Sequence, residues 1–258
     1  SGGSSPAGQL HSGSFDRINL STMLSQVGIE PQLPFIKGLS IKGVFAYDPT
    51  DKLEKIWNKP TYNYNYDSTA NSYTQNLLTD GYTTLSDSDN RNANYTYQGY
   101  INYHNSFGKS SVTGLIVAEA RNNITSNFWA SRKGFSVNIP VLDLGTSDRD
   151  NFNNGGSGAT GSQVGYVYRA DYAYDSKYLL EATGRYDGQY YFAPGKRWGF
   201  FPAFSAGWRL SEESFIKDHV DWIDQLKLRG SWGESGNLAG QPYQYLNSYT
   251  LDQNPDYA

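Results

Sequence analysis

Paired carboxylates are the residues of this sequence whose type and spacing could support acid–base catalysis. Glu181 and Asp187 could form the pair of a glycoside hydrolase, in which one carboxyl donates a proton and the other acts as base or nucleophile. Arg169 and Arg185 follow the same alternating pattern and fall on the same predicted face. Salt-linked polar residues are therefore the better interpretation, and the sequence predicts no catalytic residue and no enzyme.

Signals for metal and nucleotide sites are weak. His11, His104 and His219 are too far apart to match zinc-ligand spacing, and the absence of cysteine removes thiolate ligands. Hard oxygens in residues 148–154 could bind calcium, although a solvated loop fits that pattern better. Residues 156–161 match GxGxxG, but the dinucleotide fingerprint requires a preceding strand and a following helix. This segment is instead predicted to be a flexible loop, so we expect no metal and no cofactor.

The composition favours a β-protein. The 258 residues include 22 Tyr and 27 Gly, and the formal net charge of -4 argues against a nucleic-acid binder. The mean hydropathy is -0.63, and no run of about 20 apolar residues could form a membrane helix. A membrane β-barrel keeps a low average hydropathy because only alternate residues face lipid. A secreted carbohydrate-binding sandwich would have a similar composition, so both classes remain open.

Alternation with a period of two predicts long strands. Residues 95–107 place mainly aromatic and apolar side chains at odd positions and mostly polar ones at even positions. This run exceeds the roughly 9–11 residues that a tilted strand needs to cross a bilayer. Residues 110–119 return after Gly108 and Lys109, which predicts a tight hairpin.

Further strands with this alternation separate an apolar face from a charged one. They are residues 39–47, 164–174, 178–187, 199–210 and 226–232. The connections alternate between tight turns, such as residues 175–177, and long polar loops, such as residues 122–162 and 188–198. That asymmetry is typical of the two ends of a membrane barrel, whereas strands of soluble sandwiches are usually shorter, about 5–6 residues.

Aromatic residues near the strand ends fit a belt at a membrane–water interface, because their rings are amphipathic. The residues concerned are Tyr95, Tyr174, Tyr178 and Trp208. Ordinary cross-strand aromatic packing would give the same pattern. Residues 212–225 begin with a capping signal and are predicted to form a helical connector on the periplasmic side.

The most specific pattern lies in residues 181–237. A strand ending in Arg-x-Asp-Gly is followed by Phe-Ala-Pro-Gly, Arg-Trp-Gly and Phe-Pro-x-x-Ser-x-Gly-Trp-Arg, and later by Leu-Lys-Leu-Arg-x-Ser-x-Gly-x-x-Gly-Asn. These motifs resemble those of SusC/RagA-type TonB-dependent outer-membrane transporters. The motif residues, expected to be structural, are Arg185, Asp187, Gly188, Pro194, Gly195, Trp198, Gly199, Pro202, Gly207, Trp208, Arg229, Gly236 and Asn237.

The resemblance implies an all-β fold, an antiparallel transmembrane β-barrel. Residues 1–258 would form part of a barrel of about 22 strands whose lumen is plugged. The plug domain, the TonB-contacting segment and the terminal strands are expected to be absent from this chain. A part of the barrel alone would be an open sheet, which is not viable in lipid, so the function belongs to the parent protein.

The function implied by the resemblance is active import of nutrients, either oligosaccharides or peptides, with energy from TonB. The implied location is the outer membrane of a Gram-negative bacterium. The implied partners are the TonB complex, a SusD-like surface lipoprotein, the substrate and outer-membrane lipid, with no nucleic acid. Tyr190, Tyr191 and Trp198 are candidate substrate contacts, since aromatic faces can stack on sugar rings, although packing within the loop explains them equally well. A passive porin-like barrel and a soluble carbohydrate-binding β-sandwich are the alternatives.

Overall fold

The computed structural model of the chain describes residues 10–78, 81–220, 222–238 and 242–247. Regular structure in these residues is almost entirely β-strand. The strands are β1 Phe15–Thr22, β2 Ser25–Ile29, β3 Leu39–Asn58, β4 Tyr62–Asp67, β5 Ser72–Leu77, β6 Thr84–Phe107, β7 Ser110–Lys133, β8 Phe152–Tyr174, β9 Tyr178–Gln189, β10 Trp198–Arg209 and β11 Lys227–Gly233. The described residues also form 3-10 turns at Leu142–Leu144, Arg149–Asn151 and Leu210–Glu212, and a helical turn, α1, at Ser214–Lys217.

The main sheet has the order β1-β3-β6-β7-β8-β9-β10-β11, with β2 also paired to β3. Strands β4 and β5 form a separate two-stranded sheet. The pairs β1–β3, β4–β5, β8–β9, β9–β10 and β10–β11 are all antiparallel. The fold is therefore all-β and antiparallel, as the sequence predicts. In the described residues, no helix has the length and the apolar character needed to cross a membrane.

The chain divides into two compact units. The first comprises Ser1–Leu24, Tyr47–Asn94 and Asn123–Thr160, and the second comprises Ser25–Ala46, Tyr95–Asn122 and Gly161–Ala258. The first unit contains a small buried core in which Trp57 packs edge-to-face on Phe135, with ring centroids 4.7 Å apart. Leu85 is also fully buried there.

The strand register of the second unit separates two faces. Ala182 lies opposite Ala170 on β8 and opposite Phe204 on β10, and Phe204 lies opposite Trp232 on β11. Because side chains alternate along a strand, the even-numbered residues of β8 to β11 share one face, which we call the apolar face. The odd-numbered residues, including Glu181, form the polar face.

Large apolar side chains of the second unit are exposed rather than packed into a core. Leu180, Phe204 and Trp232 are each more than half exposed on the apolar face. In the described part of the whole chain, only Val44, Trp57, Leu85 and Val117 are buried hydrophobic residues. A soluble sandwich would bury one face of its sheets, so this exposure indicates that another phase or partner covers the apolar face.

Both tight turns predicted from the sequence are confirmed. β6 ends at Phe107 and β7 begins at Ser110, with Gly108 at φ 59° between them. The turn after β8 places Asp175 and Ser176 at φ 52° and 55°. The Lys177 amide donates to the Tyr174 carbonyl at 2.9 Å, which closes this three-residue connection.

The predicted loop over residues 122–162 is wrong in its extent. β7 continues to Lys133 and β8 begins at Phe152, so the GxGxxG segment lies inside a strand. Because glycine has no side chain, this segment shows no alternation of apolar and polar residues, and the strand cannot be recognised from the sequence pattern. Gly161 shows how these glycines are used, because a Cβ there would lie 2.8 Å from the Tyr190 hydroxyl oxygen.

The predicted helical connector over residues 212–225 is also wrong. Among the described residues of this connector, which are all but position 221, the helical structure is limited to the turn Leu210–Glu212 and α1. A helix of that length would span about 21 Å. The Ser211 amide, however, donates to the Leu226 carbonyl at 3.1 Å, which brings the two ends of the connector together and leaves no room for it.

Candidate functional site

The apolar face of the second unit has stacked tyrosine–tryptophan pairs at two levels, and the stacked rings of Phe204 and Trp232 lie between these levels. The first aromatic row consists of Tyr166, Tyr186 and Trp198, where Trp198 stacks on Tyr186 at 4.7 Å and on Tyr166 at 6.1 Å. The second aromatic row includes Tyr178 and Trp208, stacked with centroids 6.4 Å apart. Tyr174, opposite Tyr178, also belongs to it.

The distance between these rows fits a bilayer. On β10, Trp198 and Trp208 are separated by about 33 Å of strand, or about 25 Å at a tilt near 40°. Small residues such as Ala170, Ala182 and Gly230 lie between the rows on the same face. An apolar band about 25 Å tall between aromatic girdles is the outer surface of a membrane barrel.

The polar face carries ion pairs. Arg169 binds Asp171 at 2.9 Å and Glu181 at 3.0 Å, and Arg185 binds Asp187 at 2.6 Å. Glu181 and Asp187, the possible glycosidase pair, therefore each have an arginine partner. This arrangement supports a salt-linked surface, in which each half-exposed pair contributes about 1 kcal/mol or less.

A second polar chain of contacts joins β6 and β7. The Tyr100 hydroxyl donates to the Gln98 side-chain oxygen at 2.7 Å, and the Gln98 amide donates to Glu119. Glu119 also pairs with Arg121 at 3.0 Å. Such a network satisfies charged and amide groups where side chains meet water.

The candidate substrate contacts do not form one surface. Trp198 lies in the first aromatic row, on the apolar face. Tyr190 instead packs against Tyr191 at 4.8 Å and Tyr243 at 5.6 Å. Burial raises the pKa of the Tyr190 hydroxyl above its usual value of 10.0, so it remains a neutral hydrogen-bonding group. The role of all three residues in substrate contact stays a prediction.

Several motif glycines lie beneath aromatic rings. A Cβ on Gly188 would lie 2.9 Å from the Trp198 ring, and one on Gly199 would lie 2.9 Å from the Phe201 ring. Gly236 is closer still to Phe201. These glycines leave room for an aromatic ring close to the backbone, and the Trp198 ring over Gly188 on the neighbouring strand is a known way to cover glycine in sheets.

The remaining motif residues have less specific surroundings. Gly195 has φ +83°, a conformation that requires glycine in this loop. Gly207 lies opposite Arg229 on β11. Pro194 and Asn237 are exposed.

A row of amides in the first unit is not predicted from the sequence. Asn123 on β7 donates to Asn92 at 2.5 Å and to Asn94 at 2.7 Å, both on β6. Asn127, four residues after Asn123 on β7, donates to Asn90 on β6. We call Asn90, Asn92, Asn94, Asn123 and Asn127 the amide row. The alternating Asn pattern at 90–94 signals a strand with one amide face, but residues 122–162 are predicted as loop, which conceals its partner.

A tyrosine-rich hairpin in the first unit is also missing from the sequence-based expectations. On the β4–β5 hairpin, Tyr62, Tyr64 and Tyr66 share one face, with Tyr73 directly opposite Tyr66. All four are exposed, and the Tyr66 and Tyr73 rings are 5.1 Å apart. The Tyr-Asn alternation of residues 62–66 is the signal that could have revealed this tyrosine hairpin.

The oxygens at residues 148–154 are used within the chain. Asp148 accepts from the Asp150 amide at 3.4 Å and from the Asn151 side chain at 3.2 Å, which caps the second 3-10 turn. In the described residues, no group of three or more His, Cys, Asp or Glu is arranged to hold a metal ion.

Comparison with known proteins gives consistent relatives in sequence. The chain is 29% identical over 166 residues to TonB-dependent receptor SusC of Bacteroides thetaiotaomicron, a match covering 64% of this chain and 16% of the relative. It is 33% identical over 154 residues to TonB-dependent receptor P39 of Formosa agariphila, covering 57% of this chain and 14% of that one. No protein-family model matches the chain.

Solved structures agree in fold. The RagAB peptide importer in its closed-closed state superposes with a TM-score of 0.78 over 94% of this chain and 26% of that chain, at 18% identity. The chain is SusC/RagA-like. A second structure of the RagAB peptide transporter gives a TM-score of 0.74 at 21% identity. The SusC/RagA-like chain thus spans about a quarter of these solved chains and 16% or less of the two curated relatives. These relatives are named as receptors, importers and transporters, not as enzymes.

Proposed function

We propose that residues 1–258 are part of an active transporter in the Gram-negative outer membrane, which imports oligosaccharides or peptides with energy from TonB. One observation carries this proposal. The sheet of the second unit has an apolar face bounded by two aromatic rows and a polar face with ion pairs, such as Arg169 with Glu181. A wall between lipid and a wet lumen needs this division.

The parts needed for energised transport are proposed to lie in the rest of the parent protein. These are a plug domain, a segment that contacts TonB, and the strands that close the barrel. The names of the curated relatives, TonB-dependent receptors, support this division of roles. A SusD-like surface lipoprotein is the proposed partner at the outer surface.

The substrate is proposed to be an uncharged, polar chain. The amide row and the tyrosine hairpin offer amide and phenol groups without charge. Oligosaccharides and peptide backbones both present matching hydrogen-bonding groups, and tyrosine rings add flat surfaces for stacking. Tyr190, Tyr191 and Trp198 are proposed to contribute in the same way.

Transport by the full-length protein is the test. Cells expressing it should accumulate labelled oligosaccharide or peptide only when TonB is present. The purified protein should conduct few ions across a planar bilayer, because a plugged lumen blocks flow. Uptake without TonB together with high conductance would identify a passive porin, and a full-length protein that stays folded in water without detergent would identify a soluble β-sandwich.

A further inference from the structure

Glu213 links the connector between β10 and β11 to the second aromatic row. The indole N–H of Trp208 donates to its Oε1 at 3.0 Å, and the Tyr178 hydroxyl donates to the same oxygen at 2.7 Å. Lys177 binds the other oxygen, Oε2, at 3.2 Å. The Glu213 side chain is only 13% exposed. The connector, described at residues 210–220 and 222–226, is therefore held at the level of this row through Glu213.

The direction of these hydrogen bonds locates the connector relative to a bilayer. In an interfacial belt, the rings of Trp and Tyr lie toward the acyl chains and their N–H and O–H groups face the headgroups. Glu213 accepts from the N–H of Trp208 and the O–H of Tyr178. Its carboxylate therefore occupies the level at which lipid headgroups would otherwise bind.

The connector itself exposes large apolar side chains. Phe215 on α1 is 57% exposed and Trp222 is 83% exposed. Aromatic side chains of this size bury roughly 150–250 Å² each when they are covered. Water is a poor environment for both, and two such residues in a short connector indicate a surface that covers them.

The end of the connector at Leu226 adjoins the apolar face. The hydrogen bond from Ser211 to Leu226 closes the base of the connector at 3.1 Å. Leu226 is exposed, and Leu228, which lies opposite Trp208 at the start of β11, is 63% exposed. Exposed apolar side chains on β11 therefore lead directly to the end of the connector.

Electrostatic attraction to anionic lipid is not the force that we expect to hold the connector at a membrane. Lys217 is paired with Glu212 at 2.9 Å, and Lys177 is paired with Glu213. With these cations matched, attraction to lipid phosphates is weak, and burial of aromatic surface is the remaining driving force.

We propose that the connector is an interfacial anchor, in which Phe215 and Trp222 insert into the headgroup–acyl boundary of the adjacent lipid leaflet while Glu213 holds the connector against the second aromatic row. The occupant is the lipid surface itself, since the connector adjoins the face that carries both aromatic rows. This inference rests on the proposed membrane location but not on the substrate or on TonB.

Depth-dependent fluorescence quenching tests the anchor in the full-length protein reconstituted in phosphatidylcholine vesicles. This chain has no cysteine, so Phe215→Cys and Trp222→Cys each introduce one labelling site within it for a bimane fluorophore. Ala182→Cys, midway between the aromatic rows on the apolar face, and Ser231→Cys on the polar face are matched controls. Nitroxide groups at shallow or deep positions of the lipid chains serve as quenchers.

Labels at 215 and 222 should lose fluorescence to the shallow nitroxide more than to the deep one, and should be protected from iodide in water. The label at 182 should be quenched best by the deep nitroxide, and the label at 231 by neither. Iodide quenching at 215 and 222, with normal quenching at 182, would refute the anchor alone. Loss of nitroxide quenching at 182 as well would refute the membrane location on which the proposed function depends.

Discussion

Arginine substitutions on the two faces of the second unit should have opposite consequences for stability. Ala182 lies midway between the aromatic rows on the apolar face, and Ser205 on β10 lies opposite Glu181 on the polar face. Ala182→Arg would place a cation at the centre of the lipid-facing band. Ser205→Arg would place the same side chain beside a carboxylate in a wet lumen.

The expected loss of stability depends on the depth of the arginine in the bilayer. An arginine on the lipid face costs about 2–4 kcal/mol at the bilayer midplane and about 0–1 kcal/mol near the interfaces. Ala182→Arg should therefore lower the folded-to-unfolded ratio by roughly 30-fold to 1000-fold, taking about 1.4 kcal/mol for each factor of ten. Val164→Arg, at the level of the first aromatic row opposite Gly188, should cost about 1 kcal/mol or less. Ser205→Arg should be close to neutral.

Guanidinium titration of the full-length protein in phospholipid vesicles, followed by tryptophan fluorescence, measures these free energies of unfolding. The ordering Ala182→Arg far above Val164→Arg, with Ser205→Arg near wild type, is the result expected for a barrel wall. An equal cost for Ala182→Arg and Ser205→Arg would refute the assignment of the two faces. A large loss of stability in Ser205→Arg alone would mean that the polar face, and not the apolar face, is in contact with lipid.

Three further predictions concern single positions. Hydrogen bonds from Trp208, then from Tyr178, lower the pKa of Glu213 from its ordinary value of 4.5, so its stabilisation is present above that value and lost as pH falls through the lowered pKa. Glu213→Gln should remove this contribution to the pH dependence of the free energy of unfolding. Gly188→Ala should destabilise the protein by about 1–3 kcal/mol, a typical cost of overpacking, because the new methyl group would meet the Trp198 ring; thermal unfolding measures it. Tyr64→Ala on the tyrosine hairpin should weaken substrate binding by the full-length protein in calorimetry while leaving its unfolding midpoint unchanged.

Each of these has a contrary outcome. An unfolding curve of Glu213→Gln with the wild-type pH dependence would show that another group titrates. A neutral Gly188→Ala would mean that the ring moves aside without cost. Unchanged binding in Tyr64→Ala would exclude the tyrosine hairpin as a substrate contact, and a matched Asn65→Ala variant on the opposite face controls for damage to the hairpin.

The strands with alternating aromatic residues were predictable from sequence because their periodicity is strong. Residues 95–107 and 164–174 alternate over a full bilayer crossing, and both tight turns carry residues that accept left-handed φ angles. The motifs of residues 181–237 also pointed to the relatives that the comparisons then gave. These features are local, so the sequence alone could show them.

Strands made of small or amide residues could not be recognised from the sequence, because they lack the alternation of apolar and polar residues. The Gly-rich start of β8 has no hydrophobic period, and its pairing depends on main-chain hydrogen bonds and on rings such as Trp129 that cover Gly155. The amide row exists only because β6 and β7 bring residues far apart in sequence side by side. The helix predicted for the connector does not form, because a hydrogen bond between residues distant in the sequence joins the two ends of the connector.

The sequence by itself determined the class of fold and which residues of the recognised strands share a face, because side-chain alternation is a local property of the strand. Only the tertiary structure decided that Trp198 stacks in an aromatic row rather than beside Tyr190, that Glu213 holds the connector against Trp208, and that Glu181 and Asp187 each pair with an arginine. These contacts depend on the register between strands, which sets the partners across the sheet and which no single strand encodes.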